Sequence, residues 1–126
     1  MAVPPKLEKE IGELRATYSL DVVEDSEFIN LIFKDFPLAE GFSTPSSDLL
    51  LRVPKSYPDA GPDMFYTDTA VTLSSGELAK NTDSIEPFVG RNWRRFSWHR
   101  QQPWNPIVDN MHSCVEFIHC RLRKNE

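Results

Sequence analysis

One stretch of the chain concentrates residue types that do chemistry: Gly90 to Pro106, GRNWRRFSWHRQQPWNP. It carries all three tryptophans, four arginines and a histidine, in a chain whose net charge is −5. Read as an extended segment, its side chains alternate between two faces. Phe96 and Trp98 then share a face suited to a core, while Ser97 and His99 share the other. A hydroxyl and an imidazole two residues apart on a strand can hydrogen-bond, which is the smallest arrangement that gives a base-activated nucleophile. The bland alternative is an ordinary strand serine beside a surface histidine, because Ser-x-His alone is a weak motif. Arg91, Arg94, Arg95 and Arg100 would stabilise a developing oxyanion or steer an acidic partner.

Other reactive types are less well placed. Cys114 and Cys120 fall in one predicted helix, where six residues separate their Cα atoms by about 9 Å, too far for a disulfide. Cys114 belongs to an apolar stripe and reads as a small core residue. Cys120 reads as exposed and far in sequence from the Ser97 segment. His112, Glu116 and His119 stand at helical spacings that would suit a metal, but three such residues on an outer helix face are most simply a solvated surface, so no metal or other cofactor is expected. Asp63 and Asp68 flank MFYT and would orient a histidine or an incoming lysine, with turn formation as the simpler role for Asp63. The mixture of Arg and Trp would allow nucleic-acid stacking. One short cluster in a chain of pI near 5.2 argues against it, and against anionic membranes.

The elements that must position the segment are short. With 126 residues the chain suits one domain. Ten prolines break it into short pieces with stiff loops. No apolar run reaches the length of a membrane span. Met1 to Lys9 lacks the apolar stretch of a signal peptide, so a cytoplasmic location is expected. Pro4 and Pro5 suit a helix start. Leu7, Ile11, Leu14 and Tyr18 make one apolar stripe, with Lys6, Glu8, Lys9, Glu10 and Glu13 outside it. Strands are predicted near Tyr18–Glu24, Phe28–Phe36 and Asp48–Val53, joined as an antiparallel meander, with a short fourth over Met64 to Thr67. Asp68 to Gly90 reads mostly as loop, and a loop that long in a small domain is usually functional or mobile. Asn105 is the expected N-cap and Pro106 the first residue of a last helix running to Arg123. Ile107, Met111, Cys114, Val115, Ile118 and Leu122 form its stripe, and Arg121, Arg123 and Lys124 complement its negative end.

This order of elements, with Tyr57-Pro58, Pro62 and Trp104-Asn105-Pro106 at these places, resembles the ubiquitin-conjugating (UBC) superfamily. The words YP…PDMFYTD and GR-W-R-x-S-x-H…W-x-P are closest to its small bacterial members, of the prokaryotic family E type. The resemblance covers nearly the whole chain. It implies an α+β UBC-like fold: an N-terminal helix, an antiparallel meander of about four strands, a long irregular active-site segment and a C-terminal helix packed on the sheet. In that family a catalytic cysteine precedes Trp-x-Pro by about eight residues. Counting back from Trp104 reaches Phe96, with Ser97 next and no cysteine near. The family's His-Pro-Asn triad is missing as well: the stretch after Thr67 reads DTAVTLSSGELAKN.

The resemblance implies acyl transfer. Ser97 would carry a ubiquitin-like modifier as an oxyester, with His99 as its base and Arg94, Arg95, Asp68 and Trp104 in supporting or partner-binding places. The implied partners are a ubiquitin-like protein, an adenylating activating enzyme and a JAB-type metalloprotease that reverses the link, with no nucleic acid and no membrane. The alternative is a UBC-fold module that holds a ubiquitin-like protein or its activating enzyme without covalent chemistry.

Overall fold

The computed structural model describes residues 3–97, 103–124 and 126. Helix α1 spans Pro5–Leu14, with Pro5 in the first turn, where a missing N–H costs nothing. Six strands follow: β1 (Ser19–Glu24), β2 (Phe28–Pro37), β3 (Ser46–Pro54), β4 (Phe65–Thr67), β5 (Ile85–Phe88) and β6 (Arg91–Phe96). Helix α2 (Met111–Arg123) comes last. The strands form one antiparallel sheet in the order β1-β2-β3-β4-β6-β5. This is the expected α+β architecture with six strands in place of about four.

The extra strands are the hairpin β5–β6. Its first strand, IEPF, is only four residues long, carries a proline and has no fully buried residue, so it gives no strand signal in sequence. Pro87 is tolerated because β5 is the end strand of the sheet. The expected long loop of Asp68 to Gly90 is thus shortened from its far end. Phe42 and Leu73 form an isolated bridge that ties its near end to the loop before β3.

Alternation along the strands creates two apolar layers. One face buries Ile29, Leu31, Phe33, Leu49, Leu51, Val53, Phe65 and Phe96 against α1 and α2. A bulge between Phe33 and Phe36, with Asp35 at φ 50°, lets both phenylalanines point into this core although three residues separate them. The other face carries a smaller cluster of Ile32, Leu50, Tyr66 and Trp93. Arg52 lies between the rings of Phe28 and Phe88 there, with its guanidinium carbon 4.1 and 3.9 Å from their centroids.

The last helix starts five residues later than expected. Asn105 does bond locally: Ile107 N–H donates to its Oδ1, and Val108 and Asp109 N–H groups donate to its carbonyl. That turn closes on itself, and Ile107 is left 89% exposed instead of joining the stripe. The helix is instead capped by Asn110. Ser113 N–H donates to Asn110 Oδ1 at 2.9 Å, and Asn110 N–H donates to Ser113 Oγ at 3.0 Å, a reciprocal box. Met111 N–H finds a further acceptor in Glu10 of α1. Glu10, expected outside the α1 stripe, is therefore buried, where it also accepts a hydrogen bond from the Tyr57 hydroxyl. Burial and this carboxylate raise the Tyr57 hydroxyl's pKa well above the usual tyrosine range. Among the described residues no helix is long and apolar enough to cross a membrane.

Candidate functional site

Ser97 follows directly on β6, and the strand fixes the residue before it. Phe96 pairs with Phe65 in register and stacks on it at 4.8 Å between centroids. Phe42 lies tilted at 6.4 Å, and the Arg121 guanidinium sits 5.4 Å from the Phe96 ring centroid. Phe96 cannot turn without disrupting these contacts, so the backbone of Ser97 starts from a fixed point. Ser97 itself is half-buried. Its N–H donates to the Asn81 carbonyl at 3.0 Å, two residues after Arg95 N–H donates to the Ser84 carbonyl at 2.9 Å. The chain before β5 thus runs alongside the end of β6 and continues its ladder.

That neighbouring segment, residues 79–84, is held by side chains from two elements. Arg94 of β6 donates from Nη1 to the Thr82 carbonyl at 2.7 Å and from Nε to the Thr69 carbonyl at 2.9 Å. Arg121 of α2, only 1% exposed, donates to the Lys80 carbonyl at 2.9 Å. Thr82 is buried and donates to the Ala79 carbonyl at 2.7 Å. The result is a fixed turn with exposed Asn81 at φ 61°, in the left-handed region that asparagine tolerates. Asn81 closes the stretch DTAVTLSSGELAKN, and sequence reasoning passed over it because no histidine or proline precedes it. A buried Arg121 was equally unexpected; burial lowers its pKa, opposed by Glu126.

Trp104 is held by the chain that follows β3. Its Nε1 donates to the Pro58 carbonyl at 2.7 Å, and its ring is tilted against Tyr57 at 5.7 Å. Gly61 lies so close beneath the indole that a Cβ there would overlap the ring. His99, with Trp98 and Arg100, lies outside the described residues.

The remaining residues singled out from the sequence are turned to other work. Arg95 pairs with Glu86 at 2.9 Å and reaches Ser84 Oγ at 3.4 Å. Asp68 accepts from Arg91, which also bonds Asp48 at 3.0 Å. Burial pushes the Asp48 carboxyl up, but bonds from Arg91 and the Asp35 N–H, with Lys34 nearby, outweigh it and hold the group below its usual range. Asp68 follows Thr67, which pairs with Arg94, so it stands level with Trp93, four strand residues or about 13 Å from Ser97. Cys114 is buried and Cys120 is exposed, as expected. His112 pairs with Glu13 at 2.9 Å and His119 with the Tyr18 hydroxyl at 3.0 Å. No metal-binding group of three ligands occurs among the described residues.

The sequence pattern of prokaryotic E2 family E matches residues 10–125, nearly the whole chain. The chain belongs to prokaryotic E2 family E. No curated protein and no solved structure matches it. As a family E member the chain has a ubiquitin-conjugating-like role in general terms, as a transferase-type protein working with a ubiquitin-like protein and its activating enzyme. In this family E protein the end of β6 at Phe96 and the turn at Asn81 are joined by the Ser97 and Arg94 bonds, while Trp104 packs on Tyr57 and Gly61.

Proposed function

We propose that this family E protein is an acyl carrier that accepts a ubiquitin-like modifier on Ser97 as an oxyester and passes it to a target amine. The observation that carries the reading is the bond from Ser97 N–H to the Asn81 carbonyl, at the end of a strand whose last residue is locked. It supports a serine held at a fixed place beside an asparagine, in a family whose members transfer such modifiers. The hydroxyl of Ser97 would attack the activated carbonyl of the incoming modifier. The carbon–oxygen bond forms, the serine proton passes to the His99 imidazole, and the donor's leaving group departs with that proton. A target amine then attacks the ester, the carbon–oxygen bond breaks, and Ser97 regains a proton. The Asn81 amide is the candidate hydrogen-bond donor to the oxyanion in both steps.

Incubation with the activating enzyme, ATP and the modifier, followed by intact mass measurement, tests this. An adduct is expected that resists thiols and is released by hydroxylamine or alkali. Ser97→Ala should remove it while leaving the melting temperature unchanged. Ser97→Cys should restore it in a form that thiols cleave. His99→Ala should slow loading on the order of 10²–10⁴-fold, as for a lost general base. An adduct that persists in Ser97→Ala overturns the assignment. The absence of a cysteine beside the segment favours the second reading, a non-covalent binding module. Measurable modifier binding with no adduct under any condition would select it.

A further inference from the structure

A groove of about 620 Å³ lies on the opposite edge of the sheet. One wall is α1, through Glu8, Ile11, Gly12 and Arg15; the other is β1, through Asp21, Val22 and Val23. Spacings of three, one and three put the α1 residues on one helix face. Successive strand residues point to alternate faces, so a space touched by three in a row lies against the strand's edge. β1 is the end strand, so among the described residues its outer backbone groups have no strand neighbour. Their direction is marked by Arg15, whose Nε and Nη2 donate to the Leu20 carbonyl at 3.4 and 3.3 Å. By the two-residue period of an antiparallel ladder, the N–H and carbonyl of Val22 point the same way, into the groove.

The chemistry of the walls is specific. Ile11 and Val22 make the helix side apolar. Glu8 and Asp21 are exposed carboxylates, while Arg15 is turned onto the Leu20 carbonyl. Gly12 leaves room, since a Cβ built there meets nothing within 4 Å. We propose that this edge binds an extended peptide segment of a partner protein in which apolar and basic residues alternate. The segment adds to β1 as a seventh strand. Its apolar side chains lie over Ile11 and Val22, and its basic ones lie on the opposite face beside Asp21, with Glu8 at the lip. Main-chain bonds supply affinity and the alternating side chains supply selectivity. A second copy of this chain fits less well, because its edge would bring carboxylates toward carboxylates. The site is independent of Ser97: four strand spacings, about 19 Å, separate β1 from β6.

A fluorescein-labelled peptide of about eight alternating valines and lysines, long enough for one added strand, is the probe. Saturable binding is expected, weakened by salt, and a valine–glutamate peptide should not bind. Backbone amide signals of residues 20–24 should shift on titration. Gly12→Leu fills the groove while improving the helix, so its melting temperature should hold or rise as affinity falls about tenfold or more. Val22→Pro removes the edge N–H and should weaken binding likewise. No binding of the valine–lysine peptide, or equal binding to wild type and Gly12→Leu, overturns the proposal. So does a concentration-dependent dimer whose contacts broaden the same amides, since a second copy would then be the occupant.

Discussion

The two ends of β6 both carry eye-catching residues and are built on opposite principles. At its start Arg91 meets Asp48 and Asp68, with Lys34 3.6 Å from Asp48. Every charge there has an opposite partner, and the guanidinium also lies 4.2 Å from the Trp93 ring centroid. At its end the chain is fixed by backbone bonds and ring stacking, and Arg94 and Arg121 both donate to main-chain carbonyls, of Thr82 and Lys80. An ion cluster satisfied on the surface can be altered with modest consequence. A turn held by two guanidiniums on main-chain carbonyls cannot, because each bond sets where the next residue lies. The difference separates residues that look chemical from residues that place chemistry.

The largest effect should come from the support beneath the Ser97 end. Ile118 is 1% exposed in the core against the sheet. Ile118→Asp buries an unpaired charge and should cost several kcal/mol, read as a collapse of the melting temperature or loss of folded protein. Cys120→Ser, two residues on but exposed, should melt like wild type; similar melting of the two variants would show that the buried face of α2 is misassigned.

Next in size is Arg121→Met. The substitution keeps the volume and removes a guanidinium whose charged form burial already disfavours. It also removes the donor to the Lys80 carbonyl. Folding should hold within a few degrees while adduct formation on Ser97 falls on the order of ten- to a hundredfold, as expected when a reacting group is misplaced. Equal losses in the Arg91→Gln variant would erase the contrast between the two ends.

The sequence carries this contrast only in part. The stripe of α1, the first three strands and the buried side of α2 follow from periodicity, because burial on one face leaves a repeat in the residues. Ser97 is singled out in the sequence only by lying one residue after Phe96, where the count of eight back from Trp104 falls. The start of α2 does not follow, because Asn105 and Asn110 are both capable caps. The choice falls to Ser113, which completes the box at Asn110, and to Glu10, which arrives from α1. Strand β5 is not legible either, since it is only four residues long, carries Pro87 and has no fully buried residue. Asn81 and Arg121 are hidden for another reason. Their contacts near Ser97 run through main-chain carbonyls, which every residue possesses.

At the far end, Asp68→Asn tests the satisfied cluster. Asp68 and Arg91 are both more than a third exposed, so the loss should stay within about 1 kcal/mol and shrink further in high salt. Adduct formation should proceed at the wild-type rate, and a large loss would mean that the cluster communicates with Ser97.

The smallest expected effect is a pH dependence that involves neither end of β6. His119 is half-buried, stacked on Phe36 at 4.8 Å and bonded to the Tyr18 hydroxyl. Burial lowers its pKa from 6.5; Glu116 opposes this and Arg123 adds to it. The folded chain therefore takes up this proton less readily than the unfolded one, and stability rises with pH across that interval. Stability from His119 should be full above about pH 6.5, where both states are neutral, and should decline as pH falls through that value until the folded imidazole titrates. Asp25 and Asp48 are held below their usual range and titrate at lower pH, outside this window. Melting temperatures at pH 7.5 and 5.5 should differ by a small amount in the wild type and by less in His119→Gln. An unchanged difference in the variant would show that the pH dependence does not come from His119.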